Sequence, residues 1–233
     1  MTLRAERLCF AYPNSLPTLS DVDFTMVSGE LHFIVGANGS GKSTLLRCLC
    51  GLLTPQSGAV NAPSRVSFLP QSVFPSQQFT VRQLVELGAR LSATPDLNKI
   101  LTQLDIAHLA DRNLNEISGG EYQRVLVASV LAESPKFLLL DEPSSSLDLH
   151  HQVKLFSLLK NFCNAGLAIA VVCHDFNIAS RFADNISLLH NNKIIESGSS
   201  KRVITQQNLS LLFNDSVTVS LINNNPVGVP ADD

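Results

Sequence analysis

GANGSGKST, residues 36–44, gathers three glycines and a lysine among small hydroxyl residues, in a chain that is 45% hydrophobic. Glycine loses more backbone entropy on folding than any other residue, so such a cluster needs a reason. The stretch fits G-x-x-x-x-G-K-[ST] at Gly36, Gly41, Lys42 and Ser43. Residues 31–35 before it are uniformly apolar apart from His32 and predict a short buried strand. Leu45, Leu46, Leu49 and Leu52 after it recur at helical spacing. The glycines therefore sit where a strand turns into a helix. Backbone N–H groups in such a loop can converge on phosphate oxygens, because no side chain blocks the approach. The helix start adds partial positive charge at the same place. Lys42 is expected to reach the β- and γ-phosphates of a nucleotide and the Ser43 hydroxyl to bind Mg²⁺.

A Mg²⁺ ion in such a site takes a carboxylate from the end of another strand. Residues 137–143, FLLLDEP, supply one. Residues 137–140 are an unbroken apolar run, as expected of a parallel strand covered on both faces. The run ends in Asp141 and Glu142, two acids that are costly to place unless something positive sits beside them. Asp141 is assigned to the Mg²⁺, and Glu142 to the attacking water as general base or orienting group. Lys42 and Asp141 lie 141 − 42 = 99 residues apart, more than one strand–helix–strand unit needs. A further segment is therefore inserted between them.

With 233 residues the chain can bury a sizeable core. Its formal net charge of −3 supplies no basic field, and no nucleic-acid partner is expected. The longest apolar runs fall far below the roughly 18 residues of a membrane span. The N-terminal stretch lacks a long apolar core and does not read as a secretory signal. Five scattered cysteines argue against a disulfide framework. Cys48 and Cys50, flanking Leu49 in the expected helix, are read as small hydrophobes pointing in different directions.

Residues 117–124, ISGGEYQR, decide the class. They resemble the signature sequence of ATP-binding cassette ATPases, and the other motifs follow in that family's order. Tyr12 lies where the family carries an aromatic that stacks on adenine. Residues 36–44 are the phosphate loop, with Gly36, Asn38, Gly39, Ser40, Gly41, Lys42, Ser43 and Thr44 as its nucleotide-contacting set. Gln71 matches the Q-loop glutamine, which touches Mg²⁺ at a hinge. Residues 145–148, SSLD, match the D-loop, with Asp148 at a dimer interface. His174 matches the switch histidine, placed to meet the γ-phosphate and orient water. The resemblance covers residues 1–205. It departs at Ile117 (commonly leucine), Glu121 (commonly glutamine) and Ala37 (frequently proline), none of which removes a group the chemistry needs.

Ser118 and Glu121 also form S-x-x-E, a capping box, before a helix whose first turn, Gly119 and Gly120, leaves N–H groups bare. The resemblance implies that Ser118, Gly119, Gly120 and Glu121 meet the γ-phosphate of ATP held by a second copy of the chain. Two copies then sandwich two ATPs head to tail. The adjacent His150 and His151 lack ligand spacing and are read as solvated or interfacial.

The implied fold is α/β: a P-loop NTPase (RecA-like) core with an antiparallel β subdomain and an inserted helical subdomain. Residues 1–70 and 136–205 form the core with its β subdomain, 71–135 the helical insertion and 206–233 a C-terminal tail. Residues 59–70 read as a short strand pair. In the insertion, Val81, Leu84, Val85 and Leu91 fall near one helical face. Helices are expected over about 148–164 and 176–182, and strands at 168–173, 186–189 and 193–196 around an Asn191-Asn192 turn. The end of the tail, NNNPVGVPADD, reads as poorly ordered.

One phosphate loop with no membrane segment is the arrangement of bacterial importers, whose ATPase is a separate chain bound to integral permease subunits at the cytoplasmic face of the membrane. A periplasmic or lipid-anchored binding protein serves such importers indirectly. FTVRQLVELGAR, residues 79–90, and HDFNIASRFAD, residues 174–184, resemble ATPases of iron–siderophore, haem and cobalamin importers. The short segment between Gly58 and Gln71, and SGGEYQRVLVA, are similar to those of zinc and manganese importers. The resemblance thus implies an ATPase, with ATP and Mg²⁺ as cofactors, powering uptake of a metal or metal chelate. The alternative is a cassette ATPase unconnected to transport, such as one in iron–sulfur cluster assembly.

Overall fold

In a computed structural model of the chain, residues 1–72, 78–90, 95–213 and 216–231 are described. Strands β1 (Thr2–Ala11), β2 (Pro17–Val27) and β4 (Ser57–Asn61) form an antiparallel sheet in the order β2-β1-β4. The main sheet takes β3 (Leu31–Val35), β5 (Val66–Leu69), β6 (Phe137–Asp141), β7 (Ala168–Val172), β8 (Asn185–His190) and β9 (Lys193–Gly198) in the order β5-β6-β7-β3-β8-β9. It is parallel except at its edge, where β9 runs antiparallel to β8. Residues 59–70 are thus not a strand pair. β4 joins the antiparallel sheet and β5 the parallel one, and the Asn61–Pro63 punctuation marks the crossing.

β3 lies at the middle of the main sheet, between β7 and β8. Its alternation explains its burial on both faces. Leu31, Phe33 and Val35 pack into a core shared with the helices, and Ile34 into a second core under the antiparallel sheet. The helices are α1 (Lys42–Leu49), α2 (Val81–Ala89), α3 (Leu97–Gln103), α4 (Gly119–Leu131), α5 (Leu149–Asn164), α6 (Phe176–Phe182), α7 (Ser200–Val203) and α8 (Gln206–Phe213). α2, α3 and α4 lie between β5 and β6 in the chain, and Val81, Leu84 and Val85 of α2 are buried as expected. Leu91 lies outside the described residues. α2 starts on a capping box in which Thr80 and Gln83 exchange bonds of 3.2 and 2.9 Å.

α1 stops earlier than its leucine spacing predicts. Gly51, at φ +80°, turns the chain, and Leu52 is left 65% exposed. Cys48 lies in the last turn of α1, and Cys50 is its C-cap. Both line one cavity of about 450 Å³ beside β4 and β5. Burial pushes the Cys48 thiol up to about 11 and the Cys163 thiol up to about 12, so neither ionises near neutral pH.

The end of the tail reads as poorly ordered, but its described residues lie in regular structure, Asp232 and Asp233 falling outside the described residues. β10 (Val217–Ile222) and β11 (Asn225–Pro230) form a hairpin. Its two turn residues, Asn223 and Asn224, both take positive φ (49° and 64°), the geometry a tight antiparallel turn requires. Asn177 of α6 grips this hairpin, accepting from the Gly228 N–H at 2.9 Å and donating to the Gly228 carbonyl at 3.2 Å. The Ser180 hydroxyl donates to the Pro226 carbonyl at 2.6 Å.

β3 also carries a buried titratable group. His32 Nε2 lies 2.8 Å from Ser187 Oγ, its Nδ1 has no partner, and its ring leans on Phe24. Burial pushes its pKa down from 6.5 to about 4. Above pH 6.5 neither the folded nor the unfolded chain protonates it. Below that, the unfolded chain takes up a proton that the folded chain refuses until about pH 4, so stability falls across this window. Denaturant titrations are expected to show about 2 kcal/mol lost at this residue between pH 7.5 and pH 5. His32→Phe, which leaves the Ser187–Ser197 bond in place, should remove that share of the slope.

Candidate active site

A cleft of about 470 Å³ opens over the turn from β3 into α1. Thr18, Asn38, Gly39, Gly41, Lys42, Ser43, Thr44, Gln71, Glu142 and His174 line it. The sheet order brings these residues together, because β3, β6 and β7 are neighbours and all three end at this side. Two glycines are forced by close approach. A Cβ on Gly36 would lie 2.1 Å from the Leu189 carbonyl oxygen, and one on Gly41 would lie 2.6 Å from that of Thr18. Gly41 also sits at φ +106°.

Lys42 is 5% exposed, and its Nζ donates to the carbonyls of Gly36 and Ala37 at 2.9 Å each. Burial lowers its pKa, and the charges of Glu142 and Asp141 oppose that shift. Asp141 shows the mirror effect. Burial raises its pKa, the Ser43 hydroxyl bond of 2.9 Å opposes this, and the neighbouring Glu142 adds to it. An ammonium and a carboxylate are each held where neither is well solvated.

Glu142 occupies the left-handed region at φ 52°, unusual for a residue with a side chain and typical of a strained functional position. Its carboxylate is clasped from both sides. Gln71 Nε2–H donates to Oε2 at 2.7 Å, and His174 Nε2 meets Oε1. Three residues that the sequence singles out separately thus form one constellation. Behind it, a smaller cavity of about 220 Å³ is bounded by Glu142, His174, Ser144, Ser145, Gln152, Cys173 and Asp175. The Gln152 amide fixes the shape of the loop there by donating to the carbonyls of Ser144 and Leu147 at 3.3 and 2.9 Å.

The residues present fit a nucleotide with Mg²⁺. α1 begins without any side-chain cap, so its first-turn N–H groups are left to a ligand. The Ser40 hydroxyl is buried in the loop with no partner. Ser43 and Asp141 offer the hard oxygen donors that Mg²⁺ prefers. Tyr12, 36% exposed, joins the same loop through its hydroxyl, 3.4 Å from Thr44 Oγ1.

Residues 118–121 are not among those lining the cleft. Ser118 caps α4 as the sequence predicts: its Oγ accepts from the Glu121 N–H at 3.3 Å, and Glu121 Oε2 accepts from the Ser118 N–H at 2.8 Å. The Ser118 N–H and hydroxyl, both donating to Oε2 at 2.8 Å, hold the Glu121 carboxyl below the usual carboxylate range. Asp148 caps α5, its Oδ1 accepting from the His151 N–H at 2.9 Å. Thr18 and Gln152 escape the sequence reading. Neither belongs to a local motif, and only the approach of β2 and α5 brings them to the site.

The family model for ABC transporters matches residues 19–145. A hemin import ATP-binding protein, HmuV, of Rhodopseudomonas palustris is 36% identical, over 94% of this chain and 90% of that protein. A cobalamin import ATP-binding protein, BtuD, of Halobacterium salinarum is 33% identical over 86% of this chain, which spans 56% of that longer protein. Among solved structures, a chain of an ABC transporter described as metal-chelate type, in an inward-facing conformation, superposes with a TM-score of 0.88. It is 28% identical, with 99% of this chain and 98% of that chain covered. With its phosphate loop, paired strand-end acids, clasping glutamine and histidine, and capped signature helix, the chain belongs to the ABC transporter family.

Proposed function

We propose that this chain is the ATP-hydrolysing subunit of an importer for a metal chelate of the haem, cobalamin or ferric-siderophore kind, bound to integral permease subunits. Similarity over nearly the whole chain to hemin and cobalamin import ATP-binding proteins supports the cargo class. Among the described residues no helix is long and apolar enough to cross a membrane, so in this reading the permease does the spanning. The same reading keeps residues 1–70 and 136–205 as the core unit, 71–135 as the helical insertion and 206–233 as a C-terminal extension.

The observation that carries the catalytic reading is the clasped Glu142. Bound Mg²⁺, held by Ser43 and Asp141 with Gln71 nearby, would neutralise charge on the phosphate oxygens. Lys42 and the N–H groups of residues 36–44 hold the β- and γ-phosphates, and Tyr12 lies against the adenine. Glu142 accepts the proton of the water that attacks the γ-phosphorus as the bond to the β-phosphate oxygen breaks. His174 fixes the carboxylate and the γ-phosphate relative to one another. Gln71, one strand over, links this event to the inserted segment.

Because the start of α4 stands apart from the cleft within one chain, the reading takes residues 118–121 to complete the site in a second copy. Ser118→Arg, a bulky charge on the cap, is expected to abolish ATP-driven dimerisation while single copies still bind nucleotide. Sedimentation with ATP and calorimetry check the two halves. Purification with the permease encoded beside it, followed by ATPase assays with haem, cobalamin and a ferric siderophore, tests the cargo. Stimulation by none of them, or by zinc or manganese alone, would overturn the chelate assignment.

A further inference from the structure

The first turn of α5 meets the start of α4. Asp148 Oδ1, which caps α5, also lies 2.9 Å from Nδ1 of His151. A carboxylate only accepts, so the ring proton sits on Nδ1 and the opposite edge of the imidazole is aimed at α4. That edge presses on Gly120. A Cβ placed there would lie 2.3 Å from His151 Cδ2, 2.8 Å from Cγ and 3.0 Å from Nε2. The neighbouring Gly119 differs, since a Cβ there would meet nothing within 4 Å. The two signature glycines are thus small for different reasons. Gly119 is bare on the open side, and Gly120 is buried beneath a ring from another part of the chain.

Two further contacts brace the same joint. The buried Arg124 reaches back along α4 to donate to the Gly120 carbonyl at 3.3 Å. Lys154 pairs with Asp105, which follows α3. Asp148, His151 and Lys154 recur at three-residue spacing, which sets them on one side of α5. That side touches the inserted helical segment at Gly120 and again at Asp105.

We propose that His151 is a positioning residue. Its imidazole, fixed by Asp148, is the seat on which the start of α4 rests, and it sets the angle at which Ser118 and Gly119 are presented to a second copy. This rests on the reading of the α4 start as the phosphate-binding half of a two-copy site. Without the ring, the helical segment retains the Lys154–Asp105 tie but loses its stop at the one point that must meet phosphate.

The test uses the full chain with Glu142→Gln, which is expected to bind ATP while hydrolysis slows by about 10² or more. Light scattering follows dimerisation against ATP concentration, and a fluorescent ATP analogue reports the affinity of single copies. His151→Ala and Gly120→Ala are each expected to raise the ATP needed for half-dimerisation about tenfold, with single-copy affinity unchanged within about twofold. The double variant should be no worse than His151→Ala alone, because the added methyl enters space the ring has left. A Gly120→Ala effect that vanishes once the ring is already absent cannot arise from unfolding. Additive effects of the two substitutions would overturn the proposal, as would His151→Ala dimerising at the parent's ATP concentration. If the Glu142→Gln parent binds ATP and never dimerises, the two-copy reading itself falls and takes the seat with it.

Discussion

Glu142→Gln is expected to lower the rate of ATP hydrolysis by about 10² to 10⁴, the range a positioned general base contributes, while ATP affinity changes less than about threefold. The substitution is nearly isosteric. The side-chain oxygen that remains can still accept from Gln71, so the left-handed turn at residue 142 and the clasp on that side persist. What disappears is the capacity to take a proton and the negative charge beside Lys42. Steady-state phosphate release and a nucleotide titration on the same preparation separate the two effects. Turnover equal to the parent would remove Glu142 from its role. A parallel loss of binding would make it a structural residue rather than a base.

Lys42→Ala should show the opposite division, with ATP binding itself lost. The ammonium holds the carbonyls of Gly36 and Ala37 at 2.9 Å while facing the cleft, so it shapes the loop and neutralises phosphate at once. Alanine leaves two carbonyls unpartnered in a buried setting and withdraws the charge. A charge-assisted hydrogen bond contributes about 1.5–3 kcal/mol, so affinity is expected to fall about 10²-fold or more. Lys42→Arg should not rescue it, because a planar fork cannot replace a compact ammonium between two carbonyls on one side and phosphate on the other. Calorimetry with a non-hydrolysed ATP analogue reads this directly. Affinity within threefold of the parent would show that the backbone N–H groups hold the phosphates without the lysine.

Much of this site is legible in the sequence because its parts are local. A phosphate loop, an acid pair at a strand end and a capped helix each carry their geometry within a few residues. The bonds from Gln71 and His174 to Glu142 are not local. They follow from strands ending side by side, which no single stretch encodes. The seat of Gly120 on His151 is not local either, and the adjacent histidines read from the sequence as solvated or interfacial. Asn191-Asn192 and Asn223-Asn224 take positive φ at both residues alike, but the first lies between runs that read as strands, whereas the second opens a tail rich in Asn and Pro. The segment of residues 59–70 misled for a different reason. Two short extended runs in sequence pair by default, and here each finds a better partner in a different sheet.

The central place of β3 carries a consequence for how the chain is made. Its neighbours, β7 and β8, arrive more than 130 residues later, and Gly36 closes against the carbonyl of Leu189. A polypeptide halted during translation short of that leucine would own every letter of GANGSGKST and still lack the wall that gives the loop its shape. The phosphate loop is thus expected to take its final shape only once β8 has been made and has paired with β3.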